Sequence, residues 1–576
     1  MDEITFQGSE AAGQKTSAEV LFSALAAHGI DYFFCNPGTD FAPVVEALAR
    51  GQAQGTPAPR PIVVPHENCA VAMAHGVYMV SGRPQAVMVH VNVGTGNAIN
   101  AIIDAQRDQT PVLLMAGRTP LTEAGLPGAR NRPIHWAQEM FDQAGMLREI
   151  VKWDYELRLP MQTADVVTRA VEVMMTAPRG PVYLTLPREV LAGATPASNA
   201  PITARAAPAT AWPDPAAAAQ LAQWIAAAER PLIITSAAGR SAAGMTALAR
   251  VAERFALPVV SFAARFVCLP TSHPMNLGSQ PHQLLLESDL VIVLDCDAPW
   301  FPSMEAPPPG CRVVHIGVDP AYTRYPIRSF PSDLSITAET VAALEAIEAA
   351  LDQRHAADEP RIAARRARLA ERRAQWQARI AAEGDKAAKA PTIKPEYLSR
   401  CISDAAGLDA IIVNEYPLRA DHVRREQPGT FFGLSSAGGL GWGLGAALGA
   451  KLAAPDRLVV ATLGDGAYVF ANPTACHWTA QVQTLPVLTV IFNNQLYGAV
   501  RNSTLGMYAA GAAAKDGGRL LADLTPSPAY EKLVEASGGY GERVERPADL
   551  PAALQRAIAV VTREKRQALL NVLCDY

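Results

Sequence analysis

Short apolar runs alternate with amphipathic segments of helical length in the first third of the chain. Two such runs, Pro61–Val64 and Gln85–Val89, are rich in residues that favour strands. Strands that alternate with helices are typical of βαβ units and a parallel sheet. The Pro- and Ala-rich stretch from Ala192 to Pro215 has no such period and is interpreted as a linker. The pattern therefore predicts a first α/β domain over residues 1–191.

The same alternation returns after the linker and predicts two further domains. Within residues 216–350, strands are expected at Pro231–Ile234, Leu290–Leu294 and Arg312–Ile316. The following segment, Arg361–Lys389, has many arginines, but acidic residues interleave with them, which favours a solvated connecting helix over a nucleic-acid-binding arm. The last domain is expected over residues 392–576. The predicted fold class is α/β, with three doubly wound parallel-sheet domains.

Composition and charge exclude several classes of partner. A chain of 576 residues is too long for one core, and its net charge of −5 gives no reason to expect nucleic acid or an anionic membrane as partner. The eight cysteines are scattered without a CxxC pair, so they predict buried thiols in a reducing cytosol. The acidic start Met1–Ile4 lacks the features of a signal peptide, and no apolar run is long enough to span a bilayer. A cytoplasmic protein with small-molecule ligands is expected.

Two apolar runs of the last domain end in polar residues. The run Leu458–Leu463 ends at Gly464–Gly466, and the helix after it is expected from about Asn472. The run Pro486–Phe492 ends at Asn493–Asn494. Continuous apolar runs are typical of strands buried in a parallel sheet, and ligands bind at the carboxyl ends of such strands.

Asp465 and Asn494 are therefore expected to face one crevice. Carboxylate and amide oxygens are ligands that Mg²⁺ accepts together with phosphate oxygens. Gly464 and Gly466 would let the backbone approach a diphosphate closely. A Gly-Asp-Gly turn alone is commonly an ordinary turn between a strand and a helix, but the following pair of asparagines makes a metal and diphosphate site the stronger interpretation.

Two other segments have the composition of a buried site. The glycine-rich run Ser435–Gly443 precedes the apolar helix-forming run Ala446–Ala450, which favours a buried loop over a flexible linker. Glu67 follows an apolar strand and begins a helix that is predicted to reach about Val80. Burial would favour its neutral carboxyl and suit it to proton transfer, whereas the alternative is a Glu that only stabilises the first turn of a helix.

Together these segments resemble the thiamine diphosphate-dependent superfamily of pyruvate decarboxylase, acetohydroxyacid synthase and benzoylformate decarboxylase. The resemblance covers nearly the whole chain and is strong at both ends. It implies that Glu67 activates the pyrimidine ring of the coenzyme, and that Leu440 is the bulky side chain that bends the coenzyme. It also implies that Mg²⁺ is held by Asp465, Asn494 and the backbone carbonyl of Leu496. The coenzyme-binding residues implied by the resemblance are Glu67, Gly438, Gly439, Leu440, Gly464, Asp465, Gly466, Ala467, Asn494, Leu496 and Tyr497.

The resemblance also implies which residues contact the substrate. Thr39 stands at the end of a loop similar to the Asn-Pro-Gly-Ser loop of benzoylformate decarboxylase. His90 begins a segment similar to the one that carries an active-site histidine there, although a single His after a strand is more often structural. Gln138 resembles the glutamine of a Gln-Glu pair in the synthase branch. These three residues and Glu67 are the candidate catalytic residues.

Several positions depart from the pattern of the superfamily. The interval between the two metal motifs is two residues longer than usual, and Ala467 replaces a common serine. The central segment Pro299–Met304 has no histidine where benzoylformate decarboxylase has its second one. Pro417–Leu418 replaces hydroxyl residues, and Leu434 and Ser503 replace aromatic residues of the substrate pocket. These changes argue against benzoylformate as the substrate.

The expected function is a thiamine diphosphate- and Mg²⁺-dependent 2-oxo acid decarboxylase with carboligase capacity. Loss of carbon dioxide would be followed either by protonation to an aldehyde or by attack on a second carbonyl group. The alternatives are an acetohydroxyacid synthase-like carboligase and a catalytically silent paralogue, and the presence of Glu67, Asp465 and Asn494 argues against the latter. FAD in the central domain is not expected. In the superfamily this glutamate reaches a coenzyme held by a second subunit, which implies a dimer at least and an expected tetramer.

Overall fold

The apolar runs of the sequence form three separate parallel β-sheets. The computed structural model describes residues 14–196, 202–205, 208–353 and 355–575. Most successive strands of each sheet are connected through helices, and most central strands are buried along their whole length, as expected for parallel sheets that are covered on both faces. The predicted fold class, three parallel-sheet α/β domains, is confirmed.

The first sheet has the strand order β2-β1-β3-β4-β6-β5. Its strands are β1 (Tyr32–Asn36), β2 (Arg60–Val63), β3 (Gln85–Val89), β4 (Val112–Arg118), β5 (Asp154–Glu156) and β6 (Val182–Pro187). The helices of this segment are α1 (Ser17–Ala27), α2 (Ala42–Gln54), α3 (Glu67–Ser81), α4 (Val91–Arg107), α5 (Ile134–Ala137), α6 (Thr163–Met175) and α7 (Arg188–Ala192).

The second sheet has the order β11-β10-β9-β7-β8. Its strands are β7 (Pro231–Thr235), β8 (Val259–Ser261), β9 (Leu290–Leu294), β10 (Arg312–Gly317) and β11 (Leu334–Thr337). The helices of this segment are α8 (Pro215–Ala227), α9 (Ala242–Phe255), α10 (His282–Glu287), α11 (Thr340–Asp352) and α12 (His355–Ala388). Nearly all of the predicted connecting helix, Arg361–Lys389, therefore lies within α12.

The third sheet has the order β13-β12-β14-β15-β17-β16. Its strands are β12 (Ile411–Glu415), β13 (Phe431–Gly433), β14 (Val459–Gly464), β15 (Leu488–Asn493), β16 (Tyr540–Val544) and β17 (Ala568–Leu573). The helices of this segment are α13 (Pro395–Ala406), α14 (Gly443–Ala453), α15 (Asp465–Phe470), α16 (Pro473–Val482), α17 (Gly498–Met507), α18 (Tyr530–Glu535) and α19 (Leu550–Ala559).

The chain divides into two compact units. The first comprises Met1–Pro208, Ser435–Pro455 and Ala467–Leu485, and the second comprises Ala209–Leu434, Asp456–Gly466 and Pro486–Tyr576. Helices α14 and α16 thus group with the first sheet, although the strands before and after them belong to the third. The domain boundaries predicted from the sequence stay predictions.

Helices α3 and α14 pack within the first unit with their backbones in contact. A Cβ added at Gly76 would lie 2.0 Å from the carbonyl oxygen of Ala446, and one at Gly449 would lie 2.0 Å from that of Met73. Only glycine permits this approach. Because Glu67 begins α3, the close packing fixes the position of that residue relative to α14.

One prediction from the sequence is wrong, and two others fall on residues outside the described ranges. The helix after the Gly-Asp-Gly turn was expected from about Asn472, but α15 begins at Asp465 itself and α16 follows at Pro473. A six-residue helix is too short to show an amphipathic period, which is why the pattern missed it. The start of the chain, Met1–Ile4, and part of the predicted linker lie outside the described residues.

All eight cysteines are free thiols, and six of them are buried. Among the described residues, no helix combines the length and the apolar character that crossing a bilayer requires.

Candidate active site

Glu67 lies buried at the amino end of α3, where the chain leaves β2. The residue before it, His66, caps the helix by accepting a hydrogen bond at Nδ1 from the backbone N–H of Asn68 at 3.2 Å. Both carboxyl oxygens of Glu67 accept hydrogen bonds from amide side chains: Asn36 Nδ2 to Oε1 at 3.0 Å, and Asn97 Nδ2 to Oε2 at 3.1 Å. The residue is only 5% exposed. Neither asparagine was predicted as a partner of Glu67, although Asn36 begins the Asn-Pro-Gly-Thr loop and Asn97 follows His90 on α4.

His90 forms a close pair with a second buried acid, Asp40. The Nδ1 atom of His90 lies 2.5 Å from Asp40 Oδ1. This hydrogen bond raises the pKa of His90 above its usual value of 6.5, burial opposes the increase, and the charges of Asp40 and Glu67 add to it. Cβ atoms at Gly38 and Gly117 would collide with His90 and Asp40, respectively, so glycine makes room for the pair. Asp40 is a further residue that sequence reasoning missed, and its signal was its position directly after the Asn-Pro-Gly-Thr loop.

Replacing Asp40 by Asn is expected to lower the pKa of His90. In the wild type, this raised pKa contributes stability that is complete below the unfolded value of about 6.5 and is lost as the pH rises through the folded value. We expect Asp40→Asn to cost about 1.5–3 kcal/mol at acidic pH, the usual contribution of a hydrogen bond to a charged group, and less at alkaline pH. NMR titration of the His90 ring and urea unfolding at both pH values measure this. An unchanged His90 titration would contradict the prediction.

Thr39 and Gln138, the two remaining candidate catalytic residues, also lie in the first unit. Thr39 is exposed at the start of a short 3₁₀ helix. Gln138 directly follows α5 and is partly buried, and its Oε1 atom has no hydrogen-bond partner among the described residues. Its neighbour Glu139 pairs with Arg118 at 2.8 Å and with Arg130, so that glutamate has a structural role. Contact of Thr39 and Gln138 with a substrate stays a prediction.

The two motifs of the third sheet lie at the carboxyl ends of neighbouring strands. Strands β14 and β15 pair in parallel with Gly464 opposite Phe492, which places Asp465 next to the end of β15. The carboxyl group of Asp465 accepts hydrogen bonds from the backbone N–H groups of Gly466 and Gln495. The residue is 2% exposed, and among the described residues its Oδ2 atom has no hydrogen-bond partner. Burial raises the pKa of Asp465 to about 6, and these backbone hydrogen bonds oppose the increase.

The loop after β15 supplies further oxygens. Asn494 Oδ1 accepts a hydrogen bond from the backbone N–H of Leu496 at 3.1 Å, and the carbonyl of Leu496 accepts one from Gly498 at 2.9 Å. The ring of Tyr497 would lie 2.7 Å from a Cβ at Gly466, so glycine is required there.

These donors fit a hard divalent cation. The carboxyl oxygen of Asp465 is buried without a partner, which is unfavourable unless a cation or a proton compensates it. Amide and carbonyl oxygens are the other ligands that Mg²⁺ accepts, and it completes its shell with water and phosphate oxygens. Among the described residues, no group of three or more His, Cys, Asp or Glu side chains is arranged for a metal.

The glycine loop, residues 435–441, enters α14 within the first unit. Gly438 and Gly441 have φ values of +67° and +91°, conformations that side chains other than that of glycine rarely adopt. Leu440 lies between them and is partly buried. Elsewhere, Ala467 is buried within α15, and a Cβ at Gly464 would have no neighbour within 4 Å, so there is open space beside that turn.

The positions that depart from the superfamily pattern lie in different parts of the structure. A cavity of about 430 Å³ opens at the carboxyl end of β12, and Leu418 and Leu434 contribute to its lining. Tyr416, with φ of +77°, stands at its edge. Ser503 is exposed on α17. In the central segment Pro299–Met304, Trp300 is fully buried in the core of the second sheet, whereas Phe301 and Met304 are exposed.

Three family models match the chain in sequence order. Residues 15–146 match the N-terminal TPP binding domain of thiamine pyrophosphate enzymes, residues 218–347 match the central domain, and residues 416–572 match the C-terminal TPP binding domain. Each match covers most of the strands of one sheet.

Curated relatives include decarboxylases and synthases. The chain is 28% identical to a benzoylformate decarboxylase of Pseudomonas aeruginosa, with 84% of this chain and 87% of the relative covered. It is 26% identical to an acetolactate synthase of Mycobacterium bovis, with 95% and 86% covered. It is 27% identical to a probable 2-ketoarginine decarboxylase of Pseudomonas aeruginosa, with 85% and 84% covered.

Among solved structures, the fold is similar to that of a thiamine diphosphate-dependent 4-hydroxybenzoylformate decarboxylase of Rhodococcus jostii. The TM-score is 0.77 at 22% identity, with 98% of this chain and 99% of that chain covered. At this identity the likeness shows the shared fold.

Proposed function

Because the chain belongs to the thiamine pyrophosphate enzymes, we propose that it is a thiamine diphosphate- and Mg²⁺-dependent 2-oxo acid decarboxylase with carboligase capacity. Two of the relatives above are named as decarboxylases of 2-oxo acids with different side chains. The substrates would accordingly be a small 2-oxo acid and, for ligation, an aldehyde.

The observation that carries the proposal is the buried Glu67 carboxyl, held by two amide donors beside the pair of His90 and Asp40. The bound coenzyme supplies a group that attacks a carbonyl carbon and stores the electrons released with carbon dioxide. Glu67 would exchange a proton with the pyrimidine ring, a task that requires a fixed position and exclusion of water. His90, whose pKa is raised by its hydrogen bond to Asp40, would donate a proton when an aldehyde is released.

The chain's own oxygens would hold the cation. In this proposal Mg²⁺ binds to Asp465, Asn494 and the carbonyl of Leu496, and Gly464–Ala467 and Tyr497 contact the diphosphate. The charge of Asp465 then has a partner, which removes the cost of its burial. Gly438, Gly439 and Leu440 contact the coenzyme ring, and Thr39 and Gln138 contact the substrate.

An acetolactate synthase-like carboligase is the second candidate. It is supported by the acetolactate synthase relative, whose match covers 95% of this chain, and by the Gln138–Glu139 pair. FAD is not expected in the decarboxylase, so a yellow purified protein would favour the synthase. We further propose a homo-oligomer, at least a dimer and with a tetramer expected, and a cytoplasmic location, which the eight free thiols support.

The direct test is an assay of the purified protein with thiamine diphosphate, Mg²⁺ and a panel of 2-oxo acids, with and without aldehyde acceptors. We expect carbon dioxide release that requires both cofactors and stops after dialysis against a chelator. Readdition of Mg²⁺ and coenzyme should restore it. Release that persists after chelation would contradict the metal site, and no turnover of any 2-oxo acid would contradict the function. Product analysis separates aldehyde release from ligation.

A further inference from the structure

Arg188 is buried at the carboxyl end of β6, where it begins α7. Its guanidinium donates to three backbone carbonyl groups: from Nε to Gly128 at 2.5 Å, from Nη2 to Ala129 at 2.8 Å and from Nη1 to Thr39 at 3.3 Å. Because the guanidinium is planar and presents its N–H groups in a fixed fork, the three carbonyls are held in one arrangement. A single side chain thus joins the segment of Thr39 to a second loop that is distant in sequence.

This second loop, residues 122–130, closes on itself and is held by α7 at both ends. The backbone N–H of Arg130 donates to the carbonyl of Thr122 at 2.9 Å, which brings the two ends together. Glu189, the neighbour of Arg188 on α7, accepts from the backbone N–H of Thr122 at 3.0 Å and from its hydroxyl at 3.1 Å. Compact loops whose ends meet are frequently functional. Glu189 therefore holds the start of the loop, and Arg188 holds its end.

Gly128 shapes the loop for its contact with Arg188. Its φ of +93° is a conformation that other residues rarely adopt. A Cβ at this position would lie 3.2 Å from Cγ of Arg188, which is a tight contact. The carbonyl of Gly128 can therefore approach the guanidinium because the residue has no side chain.

The segment that Arg188 holds through Thr39 carries groups of the candidate site. Asp40, the next residue, pairs with His90 and also accepts from the backbone N–H of Val91 at 3.4 Å. Thr39 itself is exposed, and the sequence predicts that it contacts the substrate. Strands β1, β3 and β6 are parallel and end at the same edge of the first sheet, the edge at which such sheets bind ligands. Arg188 thus acts on the part of the first sheet that is predicted to face the substrate.

We propose that Arg188 is a positioning residue for the substrate: by holding the carbonyls of Thr39, Gly128 and Ala129 together, it fixes the surface against which a 2-oxo acid is oriented. This inference rests on the proposed function, because it takes Thr39 and His90 as residues that face the substrate. Arg188 donates to backbone groups and acts through Thr39. All of these residues lie in the first unit, so the arrangement does not depend on which subunit holds the coenzyme.

The test uses the full-length protein with Arg188 replaced by Lys and by Met. Arg188→Lys keeps the charge, but a single ammonium lacks the fork that spans three carbonyls, and Arg188→Met removes both charge and donors. A displacement of about 1 Å at a reacting centre can cost about 100-fold in rate, so we expect kcat/KM for the 2-oxo acid to fall about 100-fold in the Met variant and less in the Lys variant. The matched control is Arg169→Met, because Arg169 is exposed on α6 and pairs with Glu172 at 2.9 Å. The control should match the wild type.

Two measurements without substrate separate positioning from general damage. Hydrogen–deuterium exchange at the reactive carbon of the coenzyme depends on Glu67 in the proposed function, and Asn36, which holds Glu67, is fixed by the pairing of β1 with β3. We therefore expect exchange and the Kd for thiamine diphosphate to stay at the wild-type level in both variants. Cleavage by endoproteinase Glu-C after Glu123, which is exposed in the loop, should become faster because the loop opens more readily.

The inference would be overturned by wild-type kcat/KM in both Arg188 variants. Equal losses of exchange and turnover would also overturn it, because they would indicate general damage rather than a misplaced substrate. If the Met variant does not fold, the Lys variant decides by the same criteria. A wild-type protein that turns over no 2-oxo acid would instead overturn the proposed function.

Discussion

Glu67→Gln should lower the rate of carbon dioxide release from 2-oxo acids by about 10²–10⁴-fold, the usual contribution of a positioned proton-transfer group. Gln keeps the size of the side chain and can still accept from one of the two asparagine amides that hold the carboxyl group. It has no ionisable proton, so it cannot exchange one with the coenzyme ring. The rate of hydrogen–deuterium exchange at the reactive carbon of the coenzyme, measured by NMR after acid quench, should fall by a similar factor.

The control for this prediction is Glu46→Gln. Glu46 is exposed on α2, where it pairs with Arg50 at 2.7 Å. This variant should match the wild type in both assays. If Glu67→Gln retained full exchange and full turnover, the role assigned to Glu67 would be wrong.

Asp465→Asn should weaken Mg²⁺-dependent coenzyme binding by at least about 100-fold, because it removes the only carboxylate among the proposed ligands. It should also make the cofactor-free protein more stable near neutral pH. Burial raises the pKa of Asp465 from 3.8 to about 6, which corresponds to about 3 kcal/mol favouring the protonated form. That contribution is complete below pH 3.8 and is lost as the pH rises through 6, so the ionised carboxylate destabilises the metal-free protein at neutral pH.

Isothermal titration with coenzyme and Mg²⁺ measures the first effect, and melting temperatures without and with both cofactors measure the second. The wild type should gain stability on adding them, whereas the variant should start higher and gain little. Asp456→Asn is a suitable control because Asp456 is exposed in the loop before the same strand, β14. A variant that still bound coenzyme as tightly as the wild type would rule out the metal site.

The sheets could be predicted from the sequence because each rests on uninterrupted apolar runs. Strands β14 and β15 are examples, since both consist of residues that pack on two faces and both end in polar turns. Their pairing follows from the topology of parallel sheets, which is why Asp465 and Asn494 were expected to be neighbours. The metal ligands themselves stay predictions.

The surroundings of Glu67 and His90 could not be predicted in the same way. Asn36, Asp40 and Asn97 are each separated from their partners by 30 or more residues, and a hydrogen bond between side chains leaves no periodic mark in the sequence. The packing of α14 within the unit of the first sheet was also not predicted. Its cause is the close contact at Gly76 and Gly449, and the glycines of an apolar helix do not show which partner they approach.

The glycine contacts between α3 and α14 limit how the protein can diverge. A methyl group at Gly76 or Gly449 would force the two helices apart, so substitution of either glycine is expected to destabilise the protein. Leu434 and Ser503 are under no such backbone constraint. Substitutions at these two positions, which the sequence predicts to line the substrate pocket, are therefore expected to leave the helix pair unchanged.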